Sequence, residues 1–374
     1  YTYDSMGKVE TESYENGVKY TSKYNSEYLR ESISGSNGFN SSFEFIVNKS
    51  NGKIENVGVY TQAFGTTTKN ISYTYCTGGN LETISEGNVQ KVKYYYDTNK
   101  ELSREDNAWK NQTITYSYDA NGNLTTKTVY PYTTGNLGTA ITTNSYQYNS
   151  KDQLTNYNGK SISYDAVGNM TSYNGSTYTW QNTDKLAGIS NAGNTVTYKY
   201  NYNGIRTGKT VNGVTTNFTL NGNRIVAQND GTNDIKFTYD SMGHLVYMSL
   251  NGTSYYYEKN NQGDIIGLVN SSGNEVVTYS YDAWGNIISI GGTEANTIGK
   301  LNPFRYRSYY YDNESGMYYL QTRYYNPELC RFISADDPSL HRDFSNLTAA
   351  NLYVYANNDP VKFTDYDGRD VSSP

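Results

Sequence analysis

Apolar and polar residues alternate along this chain in short runs that close on tyrosine. In Thr195-Val196-Thr197-Tyr198-Lys199-Tyr200-Asn201-Tyr202, an extended backbone puts Val196, Tyr198, Tyr200 and Tyr202 on one side and Thr197, Lys199 and Asn201 on the other. The runs Thr113-Ile114-Thr115-Tyr116-Ser117-Tyr118 and Val276-Val277-Thr278-Tyr279-Ser280-Tyr281 keep the same period of two, which predicts half-buried strands. Asn-Gly pairs at 16–17, 51–52, 121–122, 158–159, 174–175, 203–204, 212–213, 221–222 and 251–252 separate such runs. Both residues tolerate positive φ, so many of these pairs predict two-residue hairpin turns between antiparallel neighbours.

The turns belong to a repeated phrase. Tyr118-Asp119-Ala120-Asn121-Gly122-Asn123-Leu124 is echoed at Tyr164 to Met170, Tyr239 to Leu245 and Tyr281 to Ile287. Looser versions are placed at Tyr3, Tyr96, Tyr148, Trp180 and Tyr202. The commonest interval, roughly 16 to 24 residues, is about two strands and their turns. One phrase therefore marks one hairpin, and a 374-residue chain of this kind can be one continuous array. Residues 5–90 carry the weakest repeat signal.

Composition changes what can hold such an array together. Hydrophobic residues make up 36%, and the 43 tyrosines supply about a third of them. Tyrosine is thus the expected packing residue, with a ring to bury and a hydroxyl to satisfy. A mean hydropathy of -0.77 suggests disorder, but 18% charged and 15% aromatic residues contradict it. The net charge of -6 and the lack of a long basic run argue against nucleic acid as a partner. Cys76 and Cys330 exclude a disulfide framework but leave a single bridge open. No apolar run is long enough to span a membrane, and neither a metal nor a cofactor motif stands out. Tyr1-Thr2-Tyr3-Asp4 opens in mid-repeat, as expected of the tail of something longer.

Near residue 297 the pattern changes. Four of the six prolines, Pro303, Pro327, Pro338 and Pro360, follow it, together with dense aromatic and arginine patterning and the best helix candidate, around Ala349 to Tyr355. The repeats, followed by Asn302-Pro303-Phe304-Arg305-Tyr306-Arg307, by Gly316-Met317-Tyr318-Tyr319-Leu320-Gln321-Thr322-Arg323-Tyr324-Tyr325-Asn326-Pro327, by Arg331-Phe332-Ile333-Ser334-Ala335-Asp336-Asp337-Pro338 and by Asn351 to Pro360, resemble an Rhs/YD-repeat protein ending in its Rhs-associated core domain. This family includes bacterial polymorphic toxin carriers related to toxin-complex C components and to teneurins.

The resemblance implies an all-β fold of spiralling antiparallel hairpins, a repeat shell over 1–296 plugged by a core domain over 297–374. It implies a secreted or cell-surface carrier whose partners are a C-terminal toxin cargo, an upstream shell segment and a delivery apparatus. It also implies one built-in reaction, a single-turnover aspartyl-type self-cleavage near Arg369, with Asp337 and Asp365 as the acid pair and Arg331 beside them. Asp336 is the substitute for Asp337. Two held carboxylates suit this chemistry because one stays protonated while the other accepts a proton. The sequence departs from the family at Tyr366 and Arg369, where proline and leucine are expected. The plain alternative is that Asp337, Asp365 and Asp367 only cap turns. The competing function is a carbohydrate-binding or adhesion repeat protein with exposed tyrosine platforms.

Other motifs fail on spacing. Gly204-Ile205-Arg206-Thr207-Gly208-Lys209-Thr210 is one residue short of a phosphate loop and precedes strand-like sequence. Asp119 to Asn123 resembles a calcium loop but has its glycine early and lacks the following glutamate. His244 and His341 have no convincing ligand or catalytic setting.

Overall fold

The computed structural model describes residues 1–48, 50, 53–65, 67–337 and 351–372. Twenty-eight strands, from Thr2–Tyr3 to Ile287–Gly291, form one sheet in which strands adjacent in sequence pair antiparallel. The fold is all-β and built of successive hairpins, as the alternation predicts.

The repeated phrase is a self-capping loop. Asp119 Oδ1 accepts the backbone N–H groups of Asn121 and Asn123, each at 2.9 Å, while Gly122 donates to the Asp119 carbonyl at 3.1 Å with φ of 73°. Asp165, Asp240 and Asp282 repeat the arrangement. A short acid serves because its oxygen reaches N–H groups two and four residues ahead. The opposite hairpin ends use tight turns: Asn158-Gly159, Asn174-Gly175, Asn212-Gly213 and Asn251-Gly252 have both residues at positive φ.

In most phrases the opening tyrosine ties its hairpin to an earlier one; the hydroxyl of Tyr164 is buried without a hydrogen-bond partner and is an exception. The hydroxyl of Tyr118 donates to the carbonyl of Leu102, and the same bond joins Tyr96 to Leu81, Tyr148 to Leu124, Tyr200 to Leu186, Tyr239 to Ile225 and Tyr281 to Ile265, at 2.7 to 2.9 Å. Trp180 makes this rung through Nε1 to Met170, and Lys259 through Nζ to Leu245. Most of the apolar residues that close the phrases are buried, as at Leu102, Leu154, Met170, Leu186 and Ile265, while Ile287 is partly buried.

Right-handed twist accumulates until early strands meet late ones. Arg30 pairs with Asp240 at 2.9 Å, and Lys69 with Glu258 at 3.0 Å and Glu275 at 2.9 Å. The turn at Gly65 lies so close to Gly273 that a Cβ added to Gly65 would sit 2.8 Å from the Gly273 carbonyl oxygen. Against the inner face packs the segment after Gly291: a short helix, Ile298–Leu301, and a four-stranded sheet, Tyr310–Asp312, Met317–Leu320, Arg323–Asn326 and Arg331–Phe332. Both faces of Met317–Leu320 and Arg323–Asn326 are buried. Among the described residues no helix is long and apolar enough to cross a membrane.

Two expectations are corrected and one open alternative is closed. The helix placed around Ala349 to Tyr355 falls partly outside the described residues, and its described part is not helical. Val354 bridges Arg331, and the Asn351 side chain accepts the Tyr353 N–H at 3.2 Å, a local bond that competes with helix formation. The phrase placed at Tyr202 begins at Tyr200: Asn201 is the capping residue, and Tyr202 is 97% exposed on the turn. Cys76 and Cys330 are both free.

Candidate active site

The chain end is held against the hairpin between Leu320 and Arg323. Gln321 takes positive φ there, which lets Thr322 N–H donate to the Asp367 carbonyl at 3.1 Å. Gly368 has φ of 80°, and a Cβ on it would lie 2.6 Å from Thr322 Oγ1 and 2.8 Å from the Leu320 carbonyl. Only glycine fits this approach.

Arg323 is the centre of the site. Its guanidinium lies 3.6 Å above the Phe332 ring, and its Nη2 faces two carboxylates, Asp336 Oδ2 at 2.8 Å and Asp365 Oδ2 at 3.6 Å. Its Nε donates to the Gly368 carbonyl, and its Nη1 to the Leu352 carbonyl at 3.0 Å. One buried cation thus fixes both acids and the backbone just ahead of Arg369. Burial works against the Arg323 charge, and the aspartates offset it only in part, so its proton affinity is lowered.

Asp365 is fully buried, and its two oxygens do different things. Oδ1 accepts the N–H groups of Gly368 at 2.8 Å and Arg369 at 2.9 Å, whereas Oδ2 is buried without a hydrogen bond. Burial pushes its pKa up to about 6; Arg323 opposes the rise and Asp367 adds to it. Near neutrality such a carboxyl can both hold and release a proton. Asp367 Oδ1 accepts from Arg369 N–H at 3.0 Å and Asp370 N–H at 3.2 Å, so the expected turn-capping role is present as well.

The other two residues singled out from sequence lie elsewhere. Asp337 is exposed, and its N–H donates to Asp336 Oδ1 at 2.8 Å; the acid on Arg323 is its neighbour. Arg331 points to the repeat sheet, over the rings of Tyr148 at 4.7 Å and Tyr353 at 5.1 Å, and donates to the Asp152 carbonyl at 2.6 Å. Sequence reasoning missed Arg323, although it stands inside a quoted motif; the turn before it was the available signal. Among the described residues, no group of three or more His, Cys, Asp or Glu side chains could hold a metal ion.

A sequential meander of self-capped hairpins, curled onto an aromatic plug, defines a YD-type shell. The Teneurin YD-shell family model matches residues 80–361, and the chain belongs to this family, as an Rhs/YD-repeat protein. It is 40% identical over 199 residues to the tRNA3(Ser)-specific nuclease WapA of Bacillus spizizenii and 39% identical over 199 residues to the tRNA nuclease WapA of Bacillus subtilis. Each match covers 51% of this chain but only 8% of the relative. Among solved structures, TcdB2-TccC3-TEV superposes with a TM-score of 0.75 at 17% identity, covering 98% of this chain and 21% of that one. The Photorhabdus luminescens Tc holotoxin pore gives 0.73 at 16%, with 98% and 21% covered. These structural likenesses establish the fold.

Proposed function

We propose that this chain is the closing end of a bacterial Rhs-type toxin carrier. In this reading residues 1–296 are shell wall, 297–374 are the core domain, and a toxin following residue 374 is enclosed and then released by self-cleavage near Arg369. The carrier works at the cell surface or after secretion. The relatives named as nucleases support a toxin cargo, although the chain spans less than a tenth of their length. Tyrosine packing supports the shell over a carbohydrate platform: the exposed rings, Tyr1, Tyr3, Tyr28, Tyr202 and Tyr366, are scattered, whereas most others lie against neighbouring strands or the plug.

One observation carries the cleavage reading, namely that Asp336 and Asp365 meet on Arg323 while Arg323 also holds the Gly368 carbonyl. The ionised acid takes a proton from water as the water adds to the carbonyl carbon of the scissile bond. The protonated acid gives its proton to the departing amine, and the C–N bond breaks. The substrate is part of the same chain, so its effective concentration is high and a modest site suffices for one turnover. Asp336 replaces Asp337 as the first acid, because Asp337 is exposed.

Intact-mass measurement of the chain extended past Pro374 tests this reading. Two fragments are expected from the parent and from Asp337→Asn, and one uncut chain from Asp336→Asn and from Asp365→Asn. An uncut parent, or continued cutting in both of the latter variants, removes self-cleavage and leaves only the shell.

A further inference from the structure

Three phrases among the described residues place a cation where the others place a ring or an aliphatic chain; Arg30 closes the one opened by Tyr24 and pairs with Asp240. In the phrase opened by Tyr200, the apolar closing position is taken by Arg206, paired across the strands with Tyr200 as Leu124 is with Tyr118. The plug answers this charge: Arg206 is fully buried, bonded to Asp312 and surrounded by the rings of Tyr319 at 4.3 Å, Tyr310 at 4.8 Å and Phe218 at 5.1 Å. In the phrase that closes at Ile265, the opening ring is replaced by Lys259. Here the plug provides no carboxylate among the described residues. The ammonium donates to the Leu245 carbonyl at 2.8 Å and lines a cavity of about 580 Å³ between the early strands, the late strands and the plug.

The cavity wall has the chemistry of a binding site. Among the described residues its charged lining consists of Arg30, Arg224 and Lys259 against the single carboxylate of Asp240, with His244 beside them. Arg30 is occupied by Asp240 at 2.9 Å. Arg224 lies 4.6 Å over the Tyr239 ring and, among the described residues, has no carboxylate in ion-pair range. Gln262 also lines the space; it is 8% exposed, and its Oε1 is buried without a hydrogen-bond partner. Much of the remaining wall is aromatic. An excess of cations, an orphaned amide and ring faces together fit an apolar body carrying one negative charge.

We propose that this cavity binds a small amphipathic anion, an aromatic carboxylate or sulfonate, with Lys259 and Arg224 holding the charge and the tyrosine and phenylalanine rings holding the body. The volume suits a free small molecule. Burial holds the Lys259 pKa down to about 8, with Arg30 lowering it further and Asp240 opposing, which is consistent with a cation that lacks an adequate counter-charge. The proposal does not depend on self-cleavage.

The probe is 8-anilinonaphthalene-1-sulfonate, followed by fluorescence on the folded chain. Saturable one-to-one binding is expected, weakened at least tenfold by Lys259→Tyr and severalfold by Arg224→Gln. Lys259→Tyr restores the ring found at Tyr239 and Tyr281, so it is expected to fold; an unchanged or raised unfolding midpoint checks this. The uncharged N-phenyl-1-naphthylamine is expected to bind weakly and alike to parent and variants. Displacement by phenylacetate, but not by a capped Phe-Glu dipeptide, assigns a free small anion. Displacement by both keeps the anion site but makes a chain segment its source. Equal binding of the sulfonate by parent and Lys259→Tyr, tight binding of the neutral probe, or displacement by neither competitor overturns the proposal.

Discussion

The repeat wall and the plug are both made largely of tyrosine, yet they use it differently. In the wall, the rung tyrosines Tyr96, Tyr118, Tyr148 and Tyr200 are half-buried, and each hydroxyl reaches the carbonyl of an earlier hairpin. In the plug, Tyr318 and Tyr325 are wholly enclosed, and their hydroxyls cross the seam to the last phrase of the wall: Tyr318 to the Gly285 carbonyl at 2.8 Å and Tyr325 to Trp284 at 2.7 Å. Tyr306 reaches the Ala283 carbonyl in the same loop at 2.9 Å. A wall rung repeats and is locally replaceable, whereas the plug bonds are particular and far from water. The difference lies in solvent access, and it predicts where substitutions are costly.

The Arg206 cage is one place where the seam carries a full charge, and it is where the comparison is broken hardest. Arg206→Met leaves Asp312 buried with only Lys209, at 2.9 Å, to balance it. A loss of about 3 kcal/mol or more is expected in equilibrium denaturation. Replacing both partners, Arg206→Met with Asp312→Leu, is expected to recover most of it, since no buried charge is then stranded. If the single variant unfolds at the parent's denaturant midpoint, the cage is not what joins plug to wall.

Acid titration probes the C-terminal segment, where burial raises Asp359 and Asp365, although Glu101 and Glu258 of the wall and Glu314 of the plug are raised by burial as well. Burial raises Asp359 to about 7 and Asp365 to about 6, above the ordinary 3.8. Each therefore binds its proton more tightly in the folded chain. The stability this contributes is complete below about pH 3.8 and is lost as pH rises through about 6 for Asp365 and about 7 for Asp359. Between pH 4 and 7 the difference is on the order of 2–3 kcal/mol for Asp365. Asp365→Asn is expected to remove its share of that slope, read from denaturation midpoints across pH, and Asp359→Asn its own. A slope unchanged in both variants assigns it to other groups.

How much of this was legible in the sequence follows from which interactions are local. The hairpins are, because a period of two and an acid-to-glycine loop are written within seven residues. The phrase starts at Tyr200 and not at Tyr202 because the alternation in the sequence runs on through Tyr202 although the strand ends at Tyr200; the loop bonds of Asn201 mark the true start. The helix around Ala349 to Tyr355 was misjudged because its described tyrosines, Tyr353 and Tyr355, are held by tertiary packing in an irregular path. Asp365 was readable as part of a motif. Asp336 and Asp337 were harder, since neighbours in an extended segment face opposite ways and only the packed structure shows which faces inward. For Arg323 the turn before it marked the position, but its role as a site residue was not written there, because its partners arrive from two later segments that sequence spacing does not connect to it.

The smallest expected effect tests the comparison most directly, because it changes one atom in each region. Tyr118→Phe removes the wall bond to the Leu102 carbonyl, at 2.8 Å, from a side chain that is only partly buried. Water can take part of its place, and the expected loss is about 0.5–1.5 kcal/mol. Tyr325→Phe removes the bond to the Trp284 carbonyl deep in the seam, where the ring and its acceptor residue are both fully buried. The stranded carbonyl is then paired with nothing, and a loss of about 1–3 kcal/mol is expected. The ordering of the two denaturation midpoints matters more than either value. If Tyr118→Phe costs as much as Tyr325→Phe, solvent access does not separate wall from plug, and the two regions use tyrosine in the same way.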